Sequence, residues 1–272
     1  MVSWNEENRF ALLVGGTSAL VLLVDNKHGV VRDGFLEPAW TLLLYVAFPL
    51  LICALYEAKE KAAAWSFAAL GLVCVLVPTV HRAWMDGGRR YYWQNKEHMV
   101  ALALLSLTLA LLSARVGRLD LRKWGLGLGD TGWWVPRMLL LFVATIPLIG
   151  LGAWLSPELR GFYPEVEYAR ESVSGLVRYQ LGNGVYMAAW EWFFRGFLLF
   201  GIYRFWGSIP AILIQAYPFM LMHKAKPELE MAASFVGAVL LGLFCLRARC
   251  FWPAFLLHWF LNMNMEIVGF IW

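Results

Sequence analysis

An all-α, polytopic membrane helical bundle is the fold class this sequence predicts, and three observations lead to it. Of 272 residues, 60% are hydrophobic and only 15% charged, whereas a water-soluble domain carries about 25% charged residues. Mean hydropathy is +0.59, and the apolar residues gather in runs approaching the roughly 20 that a helix needs to cross a bilayer. Fifteen Trp and ten Tyr supply the side chains that collect where hydrocarbon meets headgroups. Strands are excluded, because the period-two alternation of a membrane barrel is missing and open sheet edges cannot sit in lipid.

Taken in order, the apolar runs fall at residues 10–24, 39–56, 64–80, 99–113, 138–155, 177–203, 209–223, 231–246 and 251–271. This predicts about eight or nine transmembrane helices. Residues 1–10 are acidic rather than basic and no small-residue cleavage site follows 11–24, so a cleavable signal peptide is not expected. The connector 115–137 is the most basic, with Arg115, Arg118, Arg122, Lys123 and Arg137. Its glycines at 125, 127 and 129 follow no strand and precede no phosphate-binding lysine, so a flexible turn is expected rather than a nucleotide loop. The connector 156–176 is the most acidic, carrying Glu158, Glu165, Glu167 and Glu171, and reads as a solvated loop. Lys and Arg divide almost evenly between alternate loops, so charge assigns no orientation.

The net charge of +4 comes without a basic stripe, which argues against a nucleic-acid partner. Cys53, Cys74, Cys245 and Cys250 form no CxxC pair and read as small buried hydrophobes. Chemistry is confined to one half. Residues 1–137 hold N-terminal transmembrane helices with no assignable role, whereas 138–272 hold the ionisable groups that need an explanation within one integrated membrane domain.

Glu191 and Arg195 lie deep in 177–203, His223 ends the next run, and His258 and Asn262 sit within the last. A charge or polar group buried alone in hydrocarbon costs several kcal/mol, so convergence on a shared pocket is expected. Glu191 and Arg195 are four residues apart on one helix face and can pair as carboxylate and guanidinium. His258 and Asn262 share a face in the same way, and Asn offers both an amide donor and a carbonyl acceptor. A glutamate beside a histidine can activate water for attack on a peptide bond and return the proton to the leaving amine. Taken singly, a buried Glu–Arg bridge can equally well tie helices together, and a helix-end His can be interfacial. Gln215 and Tyr217 upstream of His223 are expected to make interhelical hydrogen bonds or line the pocket. Lys226-Pro227 marks a break in helix, because the residue before proline avoids helical geometry.

The order Glu191-x-x-x-Arg195-Gly196, then Phe219-x-x-x-His223, then His258-x-x-x-Asn262 resembles the three motifs of the CPBP family, the type II CAAX prenyl endopeptidases and bacteriocin-processing proteins. The resemblance covers residues 187–265. It implies a multi-pass, prokaryotic-type intramembrane endopeptidase acting near the C-terminus of a membrane-anchored or transmembrane peptide substrate within the lipid bilayer. It also implies water activated by glutamate and histidine with no metal cofactor. The catalytic residues it implies are Glu191, His223, His258, Asn262 and Arg195; Trp190 and Phe219 beside them, and Glu230 from its place after His223, are expected to face substrate.

The chain departs from that family's pattern at one position. The first motif usually opens with two adjacent glutamates, and here Trp190 takes the first place. Neighbours on a helix point about 100° apart, so Glu191 does not simply fill the missing position. Three readings stand: a rearranged site in which Glu191 is the base, a carboxylate reaching in from Glu228 or Glu230, or a pocket that binds without hydrolysis. A His2Glu zinc set from His223, His258 and a glutamate is a further possibility, disfavoured because no HExxH occurs and Arg195 would repel a cation beside Glu191. The expected function is hydrolysis of a peptide bond in or near the membrane. The alternatives are an inactive scaffold or immunity protein and, behind these, a zinc protease or a transporter; the last lacks paired inverted repeats.

Overall fold

The computed structural model describes residues 6–28, 121–223 and 226–272, with scattered positions between 40 and 111. Every regular element among the described residues is helical. The expected runs at 39–56, 64–80 and 99–113 are described only in part. Three described helices are long and apolar enough to cross a membrane, at Thr131–Leu155, Glu228–Ala248 and Trp252–Ile271, so the expected total of eight or nine rests on the sequence alone.

Helix α1 (Glu6–His28) carries small residues every fourth position, Ala11, Gly15 and Ala19, the pattern that lets apolar helices approach closely. A Cβ on Gly15 would lie 2.9 Å from Leu213. A short 3-10 turn at Leu121–Trp124 leads into α2 (Thr131–Leu155), whose N-terminus is capped by Asp130 accepting from the Trp133 amide. That cap explains why the helix starts seven residues before the apolar run at 138. Leu139, Leu140, Val143, Leu148 and Leu151 of α2 stay more than half exposed or nearly so, as expected of a face turned to lipid.

The acidic connector departs from the solvated loop that its charges predict. It folds into two short helices, α3 (Pro157–Phe162), capped by Ser156, and α4 (Glu167–Glu171). Tyr163, Val166 and Ala169 are buried there, and Glu165 is taken in with them. The apolar residues interleaved with the acids drive this docking.

The run expected at 177–203 forms three stacked segments. Helix α5 (Val173–Glu191) passes into a π-helical stretch, Trp192–Leu198, and then into α6 (Leu199–Trp206), which ends at Gly207 with φ of 85°. Widening to π geometry seats the Trp192 ring over Gly196, where a Cβ would meet it at 2.3 Å. Helix α7 (Ser208–Leu221) is buried from Ile209 to Leu221, which makes it the central strut. It packs against α1, α6 and α8 (Glu228–Ala248). The last helix, α9 (Trp252–Ile271), lies across α2 and α5.

The glycine turn at 125–129 is held in place rather than flexible. The Asp130 amide donates to the Ala248 carbonyl at 2.9 Å, and the Phe251 amide donates to the Gly125 carbonyl at 3.1 Å. Gly129 has φ of +61°, and a Cβ there would stand 2.0 Å from the Ala248 oxygen. Gly129→Ala is therefore expected to lose at least about 2 kcal/mol through backbone strain and displacement of α8. Gly150→Ala, with nothing within 4 Å, is expected to change stability by no more than about 0.5 kcal/mol. Thermal unfolding in detergent, followed by tryptophan fluorescence, separates the two.

Candidate active site

Polar side chains of α5 and α9, spaced by multiples of four residues, meet as an antiparallel ladder. On α5 the positions are Tyr179, Asn183 and Glu191, and on α9 they are Glu266, Asn262 and His258. Four-residue spacing keeps each set on one face. The Asn183 amide donates to the Asn262 carbonyl oxygen at 2.6 Å, and one step away the Trp259 indole donates to Gln180 at 3.2 Å.

At the deep end of the ladder, Glu191 is fully buried, as is Arg195. Arg195 Nη1 lies 3.0 Å from Glu191 Oε2 and 3.1 Å from Oε1. His258 Nδ1 lies 2.6 Å from the same Oε1. A carboxylate only accepts, so Nδ1 of His258 carries a hydrogen toward Glu191. The carboxylate is thus shared by a guanidinium from its own helix and an imidazole from α9. Arg195 stacks its guanidinium 4.0 Å above the Phe219 ring, a favourable contact in a dry site. Its Nε and Nη2 have no hydrogen-bond partner among the described residues.

His223 follows α7, and its Nδ1 is 2.8 Å from the Phe219 carbonyl. A carbonyl also only accepts, so this histidine too has its hydrogen on Nδ1 and its lone pair on Nε2. The His223 and His258 rings have centroids 6.3 Å apart with planes inclined by 26°. Trp190, itself part of the hydrophobic core, packs edge-on against both, 5.7 Å from His223 and 6.4 Å from His258. It is 3% exposed, and its indole N–H has no partner among the described residues. The structure therefore brings Trp190, Glu191, Arg195, Phe219, His223 and His258 together as one cluster, with Asn262 four residues on from His258 along α9 and bonded to Asn183.

Glu230 is bonded to a separate set of side chains. Its Oε2 accepts from the Tyr163 hydroxyl at 2.8 Å, and Lys226 Nζ is 3.6 Å from Oε1. Neither oxygen is offered to the histidines. Lys226 also pairs with Glu165, whose other oxygen accepts from Tyr179 at 2.6 Å. The Glu165 amide donates to both oxygens of Glu266, at 3.4 and 3.3 Å. Gln215 and Tyr217 make interhelical bonds, to Ala238 at 3.0 Å and to Gly15 at 3.5 Å. Among the described residues, no three His, Cys, Asp or Glu side chains converge in a metal-holding arrangement. Sequence reasoning missed Asn183, Glu266 and the burial of Glu165. The first two lie eight residues from Glu191 and His258 respectively, so extending the four-residue period would have found them.

With this geometry in view, the class is that of a membrane-embedded helical site of carboxylate, guanidinium and two imidazoles. Residues 177–264 match the model of the family described as Rce1-like, type II CAAX prenyl endopeptidase. That segment contains every residue of the three motifs. The family supports a CAAX-type protease kind of function in an integral membrane protein. No curated protein and no solved structure matches the chain.

The outer cluster gives a pH dependence. Burial, then the Glu266 charge, holds the Glu165 carboxyl well above the usual carboxylate range, partly offset by the Tyr179 hydrogen bond. A group whose pKa is raised on folding favours the folded state below its unfolded value and loses that contribution as pH rises through the folded one. The unfolding temperature of the wild type is expected to fall between pH 5 and pH 8 more steeply than that of Glu165→Gln, which does not titrate. Parallel thermal scans across that range check it.

Proposed function

We propose that this protein is an intramembrane endopeptidase that hydrolyses a peptide bond near the C-terminus or membrane segment of a membrane-associated substrate. The observation that carries this reading is the 2.6 Å contact between Glu191 and His258 Nδ1, which leaves a basic Nε2 in a pocket faced by donors. Glu191 serves as the orienting carboxylate rather than as the base. It is fully buried, and its oxygens are already engaged by Arg195 and His258. Arg195 faces that carboxylate as its ion-pair partner at 3.0 Å.

In this mechanism a water placed between the two imidazoles gives its proton to His258 Nε2, and Glu191 stabilises the imidazolium that results, the division of labour of a carboxylate–histidine pair. His223 Nε2 accepts the water's second hydrogen and positions it. The oxygen forms a bond to the scissile carbonyl carbon, and the developing oxyanion takes the Trp190 indole N–H and the amide N–H of Asn262, whose carbonyl is occupied by Asn183. The imidazolium then gives its proton to the leaving nitrogen, the C–N bond breaks, and the water's second proton passes by way of His223 Nε2 to the amine, so that a carboxylate and an ammonium result. No metal or other cofactor is required by these steps. Phe219 lines the pocket beneath Arg195, and Glu230, with Tyr163 and Lys226, flanks the path beside His223.

The replacement of a glutamate by Trp190 thus exchanges a base for a donor, with the base moved to His258. Purified protein in detergent, offered a library of membrane-tethered peptides, tests this. Cleavage by the wild type is expected to fall by about 10²–10⁴ in kcat in Glu191→Gln, His223→Ala and His258→Ala. Trp190→Phe, which keeps the ring and removes the N–H, is expected to lower kcat by about 10²–10³ with little change in KM. A well-folded wild type that cleaves nothing, or a Trp190→Glu variant that greatly gains activity, would replace this reading with a binding or scaffolding role.

A further inference from the structure

The basic connector and the ends of three helices enclose a second cavity that the peptidase chemistry does not use. Its volume is about 1020 Å³, and its lining includes Arg122, Lys123, Arg204, Arg249, Tyr203 and Asp130. It lies where α2 begins, where α6 ends and where α8 reaches its left-handed cap at Arg249. Because α2 and α8 are both membrane-spanning candidates, their shared end is the level at which a bilayer presents its phosphates.

Among the described residues, the lining carries four basic side chains and one acidic one, Asp130. That carboxylate is already committed, accepting from the Trp133 amide at 3.2 Å and facing Arg247 at 3.6 Å. Arg204 stacks 4.3 Å above the Trp124 ring, which itself stacks on Phe197 at 5.5 Å. Its Nη2 is buried with no hydrogen-bond partner among the described residues. A guanidinium fixed flat on an indole, with buried N–H donors unused, is preorganised for two-point contact with a planar or tetrahedral oxyanion. The glycine turn forms a rigid wall, since its carbonyls are spent on the fold: Gly125 on the Phe251 amide, Leu126 on the Trp252 indole and Leu128 on the Trp134 indole. Leu128 and Phe200 add apolar lining beside the cations, which suits a ligand with a charged head and a greasy body.

We propose that this cavity binds a phosphoryl group at the membrane edge, held by Arg204 and Arg249. The headgroup of an anionic phospholipid and a soluble phosphoryl compound share that chemistry, and the two sources separate experimentally. The test is native mass spectrometry of the detergent-solubilised full chain titrated with phosphatidylglycerol, with diacylglycerol, which lacks the phosphate, and with inorganic pyrophosphate. Phosphatidylglycerol is expected to bind at least tenfold more tightly than diacylglycerol. Arg204→Gln is expected to weaken that binding at least tenfold, as is Arg249→Gln at the exposed rim, while Arg178→Gln, an exposed cation on α5, leaves it unchanged. The Arg249 variant keeps the test decisive if Arg204→Gln fails to fold. Pyrophosphate binding with the same arginine dependence, in the absence of lipid binding, keeps the phosphoryl site and assigns it to a soluble ligand. Binding of all three probes that ignores both arginines, or no binding of any, overturns the proposal.

Discussion

A single carboxylate organises the C-terminal half of this protein. Glu191 has no access to solvent, and removing one partner of a buried ion pair typically costs about 3–5 kcal/mol because the other is left uncompensated. Its oxygens are met from two directions, by Arg195 four residues on and by His258 from α9. The first contact needs only helical spacing. The second requires that α5 and α9 lie antiparallel in one register, and the Asn183–Asn262 bond further down the ladder demands that same register. Slipping either helix by one residue would leave a charge, a histidine and two amides unpaired in an apolar interior, so these contacts select one arrangement from the many that lipid-like packing would tolerate.

The π-helical stretch directly after Glu191 belongs to the same constraint. Such segments are uncommon and cluster at functional sites. Here it carries Arg195 within reach of both Glu191 and the Phe219 ring. It also folds Trp192 over Gly196 and directs the Trp192 indole toward Ser106 at 3.0 Å, which ties the site to the N-terminal half. The fold therefore places the reactive groups through backbone geometry at one short stretch and through a ladder of amides along two helices.

Much of this is legible in the sequence, and the reasons are physical. Ionisable groups in apolar runs are costly, so Glu191, Arg195, His258 and Asn262 stand out, and spacings of four put each pair on one face. Helices α2, α8 and α9 follow from hydropathy and run length. Less legible is the acidic connector, which reads as solvent-exposed from Glu165 and its neighbours until Tyr163 and Val166 are seen to dock it. The π stretch leaves no mark except Gly196, whose missing side chain admits the Trp192 ring. Glu230 looks from its place after His223 like a carboxylate that could enter the pocket, yet Tyr163, far off in sequence, holds it at the mouth. Contacts between distant segments are what one-dimensional periodicity does not encode.

The proposed hydrolysis depends on Glu191 fixing the protonation of His258. Nitrogen-15 NMR of histidine-labelled protein in lipid measures this directly. His258 is expected to be protonated at Nδ1, with a strongly deshielded proton shared with Glu191 that disappears in Glu191→Gln while the His223 signals persist. A wild-type His258 protonated only at Nε2, or a His258 spectrum unchanged by Glu191→Gln, would contradict it.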